Sequence, residues 1–201
     1  MRRSLVLVGW LAVAAPLGAS ALEPVETVEW EQSPRVRLAG LPRAALVRAL
    51  RGAALRLEQP ACRAVLGDFR EAGGDEPGER LRALGLTASE FLNVIVFARG
   101  ARQGRCAEPG VLAVTSPGSR VVYACEGRFA ELATHDPETA EATLIHEALH
   151  SLGVPEDPPT SREITRRVLA RCGDRARAAA VIAAAPTGPA RGVADAWPEL
   201  R

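Results

Sequence analysis

Apolar positions along the chain follow two spacings, helical and extended, and their order predicts an α+β domain. Within 41–57, Leu46, Val47, Leu50, Ala54 and Leu57 recur at helical spacing. Pro42 sits in the first turn of that run and Pro60 stops it. A second short helix is expected over 61–69, and a helical stretch over 79–84 ends at Gly85, beyond a Gly- and Pro-rich loop at 73–78. Residues 89–93 lead into Val94-Ile95-Val96-Phe97-Ala98, a continuous apolar run that reads as a buried strand. The β-prone runs 111–114 and 121–124 flank Ser116-Pro117-Gly118-Ser119, which predicts a hairpin.

Asp136-Pro137-Glu138 opens the next helix. Asp caps free amides, Pro is tolerated at the first position, and Glu suits the positive end of the dipole. Leu144, Ile145, Ala148, Leu149 and Leu152 give this helix an apolar face, and Gly153 ends it. Pro155, Pro158 and Pro159 force a turn, after which Thr160 starts a last helix to Cys172. The expected architecture is a short, mostly antiparallel sheet packed against helices.

The two ends change the picture. Arg2 and Arg3 precede a short apolar run over 5–15, and Ala19-Ser20-Ala21 is a small-x-small cleavage signal. Together they predict a secretory signal peptide over 1–21, cut before Leu22, with an uncleaved anchor as the alternative. An N-terminal arm follows over 22–40, with an edge strand near 27–30 or simply an extended chain, and the domain itself spans 41–173. From 174 to 201 the chain is an Ala-, Arg- and Pro-rich tail, whose 175–185 stretch has helix-compatible composition.

Composition then narrows the function. The 201 residues contain no lysine, but 25 arginines are nearly cancelled by 24 acids, giving a net charge of +1. No arginine run stands alone as a basic patch, which excludes nucleic acid as the expected partner. Four cysteines, Cys62, Cys106, Cys125 and Cys172, in an exported chain imply two disulfides. No CxxC occurs among them, which argues against a cysteine zinc site. Of the three pairings, Cys62–Cys106 with Cys125–Cys172 is preferred, because it ties the hairpin to the last helix.

The candidate chemistry lies in His146-Glu147-Ala148-Leu149-His150. Positions i and i+4 share one helix face, so both imidazoles can aim at one point. Zinc accepts such nitrogens at about 2.0–2.1 Å. Glu147 follows the first ligand and can contact water held there. With three His and 18 Glu in the chain, an accidental HExxH match is expected roughly three times in a thousand.

The stretch from His146 to Gly153 reads HExxHxxG and resembles the zincin metallopeptidases, over under a tenth of the chain. The resemblance implies that His146 and His150 bind zinc and that Glu147 is the general base. It also implies that an edge strand, 112–115 or 121–123, aligns a peptide or protein substrate. The sequence departs from the metzincin pattern. Glu156 stands where a third His would be, and no Met follows Met1. A gluzincin glutamate usually lies farther downstream than anything obvious here.

The third ligand is therefore open between Glu156, Glu163 and Asp157. Glu163 also completes a capping box with Thr160. His135 lies eleven residues before His146, about 16 Å along a helix axis, and is set aside. Tyr123 and Arg128 are candidate oxyanion donors. The expected activity is an exported, zinc-dependent peptidase, periplasmic or extracellular and of bacterial type. A zinc amidase acting on cell-wall material and a non-enzymatic metal-binding or interaction module are the alternatives.

Overall fold

A computed structural model describes residues 30, 33 and 35–175. The expected signal peptide, most of the 22–40 arm including the 27–29 strand positions, and the tail beyond 175 lie outside the described residues. In chain order the elements are β1 (Val36–Arg37), α1 (Gly40–Leu57), α2 (Pro60–Arg63) running into a 3₁₀ turn (Ala64–Gly67), α3 (Pro77–Leu84), α4 (Ala88–Leu92) and β2 (Val96–Arg99). A second 3₁₀ turn (Gly104–Ala107) follows, then β3 (Ala113–Val114), β4 (Val121–Ala124), α5 (Glu126–His135), α6 (Pro137–Ser151) and α7 (Ser161–Cys172). The class is α+β.

The sheet order is β1-β2-β4-β3. β1 with β2 and β2 with β4 are parallel, and only β3 with β4 is antiparallel. The sheet is therefore mixed, not mostly antiparallel as the sequence suggests. The hairpin forms as expected, but its second strand returns to lie beside β2. Four helices intervene between β1 and β2, so that pair also meets in parallel, as a crossover connection dictates. This order leaves β3 at one edge of the sheet and β4 inside it.

Helix α6 is the centre of the packing and touches α1, α5 and α7. Leu46 and Leu50 of α1, Phe91 of α4, Phe97 of β2, Phe129 of α5, Leu144, Ile145 and Leu149 of α6, and Ile164 of α7 are all fully buried. Each such side chain stabilises the fold by about 1.5–3 kcal/mol relative to an exposed one. Helix α5 was not anticipated. Cys125 at its N-cap makes no side-chain cap bond, and Gly127 sits in its first turn, so the local start signals are weak. Only Asp136 separates it from α6, where it caps the second helix through the Thr139 amide at 3.0 Å.

The disulfides are Cys62–Cys172 and Cys106–Cys125, which corrects the preferred pairing. α2 packs on α7 and brings Cys62 to Cys172. The Gly104–Ala107 turn lies against β3 and places Cys106 beside Cys125. Two bridged pairs are compatible with an exported protein. No helix among the described residues is long and apolar enough to cross a membrane.

One buried polar cluster ties α1 to α6 and α7. Arg56 is 5% exposed and donates to Glu141 and to the Cys172 carbonyl, with Asp174 at 3.0 Å. Gly52 makes room for it, since a Cβ there would collide with the Glu141 carboxylate.

Candidate metal centre

The C-terminal half of α6 delivers His146, Glu147 and His150 to one wall of a cavity of about 140 Å³. All three are buried, at 6%, 6% and 3% exposure. The Nε2 atoms of His146 and His150 stand 2.9 Å apart, and the rings meet edge to face with centroids 4.7 Å apart. One helical turn between the two residues is enough to set this up.

Each imidazole is oriented from its far side. α6 ends in a Schellman motif, with Gly153 N–H donating to the His150 carbonyl at 2.8 Å and Val154 N–H to the Leu149 carbonyl at 3.1 Å. Gly153 has φ of +104°, a conformation that glycine adopts without a Cβ penalty. The reversal brings the Val154 carbonyl 2.7 Å from His150 Nδ1. A carbonyl only accepts, so Nδ1 carries the proton and Nε2 presents a lone pair. His146 Nδ1 lies 2.9 Å from Thr165 Oγ1 on α7. With Nδ1 of His146 donating to that hydroxyl, both Nε2 lone pairs face the same point. A shared cation turns that juxtaposition from repulsive to favourable, and it is the usual arrangement behind metal-ligating histidines.

No family model, curated protein or solved structure matches this chain.

The electrostatics come from burial. Burial, and then the neighbouring His150, lowers the His146 pKa to about 3, so the ring stays neutral. Glu147 is pushed up to about 8, first by burial and then by the charge of Glu156, with Arg105 pulling the other way. Its Oε2 atom is buried without a hydrogen-bond partner. A buried carboxylate oxygen left unpaired is costly, and its natural partner is a molecule that enters the cavity.

The sequence candidates for a third ligand separate clearly. Glu156 lines the cavity, where Arg105 Nη1 donates to its Oε2 at 3.0 Å. That hydrogen bond holds the Glu156 carboxyl below its ordinary pKa, against the effect of burial. Glu163 does not line the cavity and instead accepts from Arg167 at 2.6 Å. Only half of its expected capping box forms. Thr160 Oγ1 accepts from the Glu163 amide at 3.3 Å, while the Glu163 side chain turns to Arg167. Asp157 is exposed on the turn after Val154 and lies outside the cavity wall.

Among the described residues, no group of three or more His, Cys, Asp or Glu is arranged to hold a metal ion. The two facing imidazole nitrogens supply two donors of the kind zinc takes, and Glu156 is the carboxylate whose charge reaches both His146 and Glu147.

Neither oxyanion candidate lines the cavity. Tyr123 lies on β4 inside the sheet, and Arg128 donates to the Cys106 and Glu108 carbonyls. His135 ends α5 on the surface, away from the motif. Thr165, the Val154 carbonyl and Arg105 are the site groups that sequence reasoning missed. Of these only the glycine behind Val154 leaves a local signal, since Gly153 marks the turn that aims the carbonyl.

Proposed function

We propose that this chain is an exported zinc-dependent hydrolase, a peptidase of the zincin kind, with Glu147 as its general base. The observation that carries the reading is the pair of Nε2 atoms 2.9 Å apart beside a buried Glu147 oxygen that has no partner. His146 and His150 would hold the ion, and Glu156 is the candidate third ligand. Bound zinc supplies Lewis acidity and brings the pKa of its water toward about 7.

The chain's own residues do the rest. Thr165 and the Val154 carbonyl fix the two rings. Glu147 takes a proton from water and passes it to the leaving amine. The cavity wall opposite α6 is the stretch Val111, Leu112, Ala113, Val114 and Thr115. β3 is the last strand of the sheet, so its outer edge can pair with an extended peptide. The reading favours 112–115 over 121–123 for that task, because β4 is paired on both sides.

A second reading, a metal-binding or interaction module without turnover, draws on the missing third ligand in the set described above. A cell-wall amide in place of a peptide would use the same machinery. The test is hydrolysis of a peptide mixture and of cell-wall fragments by zinc-loaded protein, wild type beside Glu147→Gln. A loss of about 10²–10⁴-fold is expected, the usual weight of a general base. Hydrolysis that survives the substitution would remove Glu147 from the mechanism.

A further inference from the structure

We propose that Arg105 is the specificity-determining residue of this site, and that it binds a carboxylate on the substrate next to the bond that is cut. The inference rests on the hydrolase reading and deepens it. Among the cavity's lining residues, Arg105 alone carries a fixed positive charge. It stands in the same cavity as Glu156, whose negative charge without it would repel an acidic substrate.

The guanidinium is held on one side and open on the other. Its Nη1 donates to Glu156 at 3.0 Å, and its Nε lies 4.0 Å from Glu108. Nη2 has no partner among the described residues, and the side chain is half exposed. A planar fork with free donors fits a carboxylate, and its fixed geometry makes it selective. The turn that carries it is anchored twice. Cys106 is bonded to Cys125 at the start of α5, and Arg128 grips the Cys106 and Glu108 carbonyls.

The anchoring also sets a direction. Cys125 N–H donates to the Leu112 carbonyl at 2.9 Å, so Arg105 is tied to the end of the hairpin where β3 begins. A peptide pairing antiparallel with β3 brings its C-terminal side to that end. The carboxylate would then lie on the leaving-amine side, either the chain's own terminus or an acidic side chain. A cavity of about 140 Å³ leaves room for only a short portion of substrate, which keeps the charge close to the cut bond.

The experiment uses zinc-loaded full chain and three blocked tetra-alanine peptides: the free C-terminal acid, the C-terminal amide, and the amide with Asp in the last position. The ratio of kcat/KM values between each acid and the plain amide is read. A ratio of about tenfold or more is expected for the wild type, falling to about one in Arg105→Gln, as for loss of one charged pair. A higher ratio for the free acid assigns the terminus, and for the Asp peptide the side chain. A wild-type ratio near one overturns the proposal, and so does an unchanged ratio in Arg105→Gln.

Should that variant fail to fold, Arg105→Lys keeps the charge without the fork. Its ratio is expected to drop about threefold, and an unchanged ratio overturns the proposal. Calorimetric titration of Glu147→Gln with the same peptides reads binding apart from turnover. Tighter binding of an acid peptide, abolished by adding Arg105→Gln, supports the inference even where the wild type cuts nothing, an outcome that would sink the hydrolase reading instead. Equal binding of acid and amide overturns the inference.

Discussion

Helix α6 carries two glutamates in enclosed surroundings, six residues apart, and the molecule treats them in opposite ways. Glu141 accepts from Arg56 Nε, while Arg56 Nη1 meets the Cys172 carbonyl and Asp174. Glu147 has an oxygen with no partner at all, set beside two imidazoles whose nitrogens crowd together. The first cluster is closed: Nε and Nη1 of Arg56 both meet acceptors, and a glycine at position 52 leaves room for the Glu141 carboxylate. The second is open and faces a cavity. A satisfied buried pair serves the fold, whereas an unsatisfied one stores a cost that only an incoming partner relieves. The same helix thus holds the domain together at one end and presents an unsatisfied polar site to a cavity at the other.

Breaking the closed cluster should give the largest effect on folding. Arg56→Ala removes a buried guanidinium and leaves the partly buried Glu141, 16% exposed, without its partner; it is expected to cost about 2–4 kcal/mol in chemical denaturation. Zinc uptake by the folded fraction should be unchanged. A loss of metal with intact stability would mean that the two ends of α6 are not separable.

The open cluster should respond in the reverse direction. In chelator-treated protein the Glu147 carboxyl has its pKa raised to about 8 from 4.5. Its contribution to stability is therefore full below about pH 4.5 and is lost as the pH rises through 8. Glu147→Gln does not titrate. Its stability relative to wild type should climb across that window, by on the order of 2–4 kcal/mol. A flat difference would show that Glu147 is not buried as described.

Smaller effects test how the rings are held. Thr165→Val removes the hydroxyl from His146 Nδ1 and should weaken zinc binding about 10–100-fold, with Thr165→Ser restoring it. Gly153→Ala forces a side chain into a positive-φ position. It should cost about 1–2 kcal/mol and weaken zinc binding through the displaced Val154 carbonyl. Wild-type affinity in both variants would remove the oriented-imidazole account.

What the sequence disclosed was local. The start of α6 was readable from Asp136-Pro137 and its end from Gly153, because caps and breakers act within a few residues. The HExxH spacing was readable for the same reason. Helix α5 was not, since Cys125 provides no cap and its buried positions are few. The direction of the β2–β4 pairing and the cysteine partners depend on which elements meet in space, and no short stretch encodes that. Thr165 reaches His146 from α7, and Arg105 reaches Glu156 across 51 positions, so both were invisible until the chain was folded. The Glu163 capping box was half right: Arg167, one turn on, outcompetes the Thr160 amide for its side chain.

The most direct measurement is the zinc content of metal-stripped protein after dialysis against limiting zinc, for wild type and for His146→Ala/His150→Ala, with circular dichroism to confirm that both are folded. The account predicts one tightly held ion per chain in the wild type and none in the double variant. A folded wild type that takes up no zinc, or a double variant that binds as much as the wild type, would contradict it.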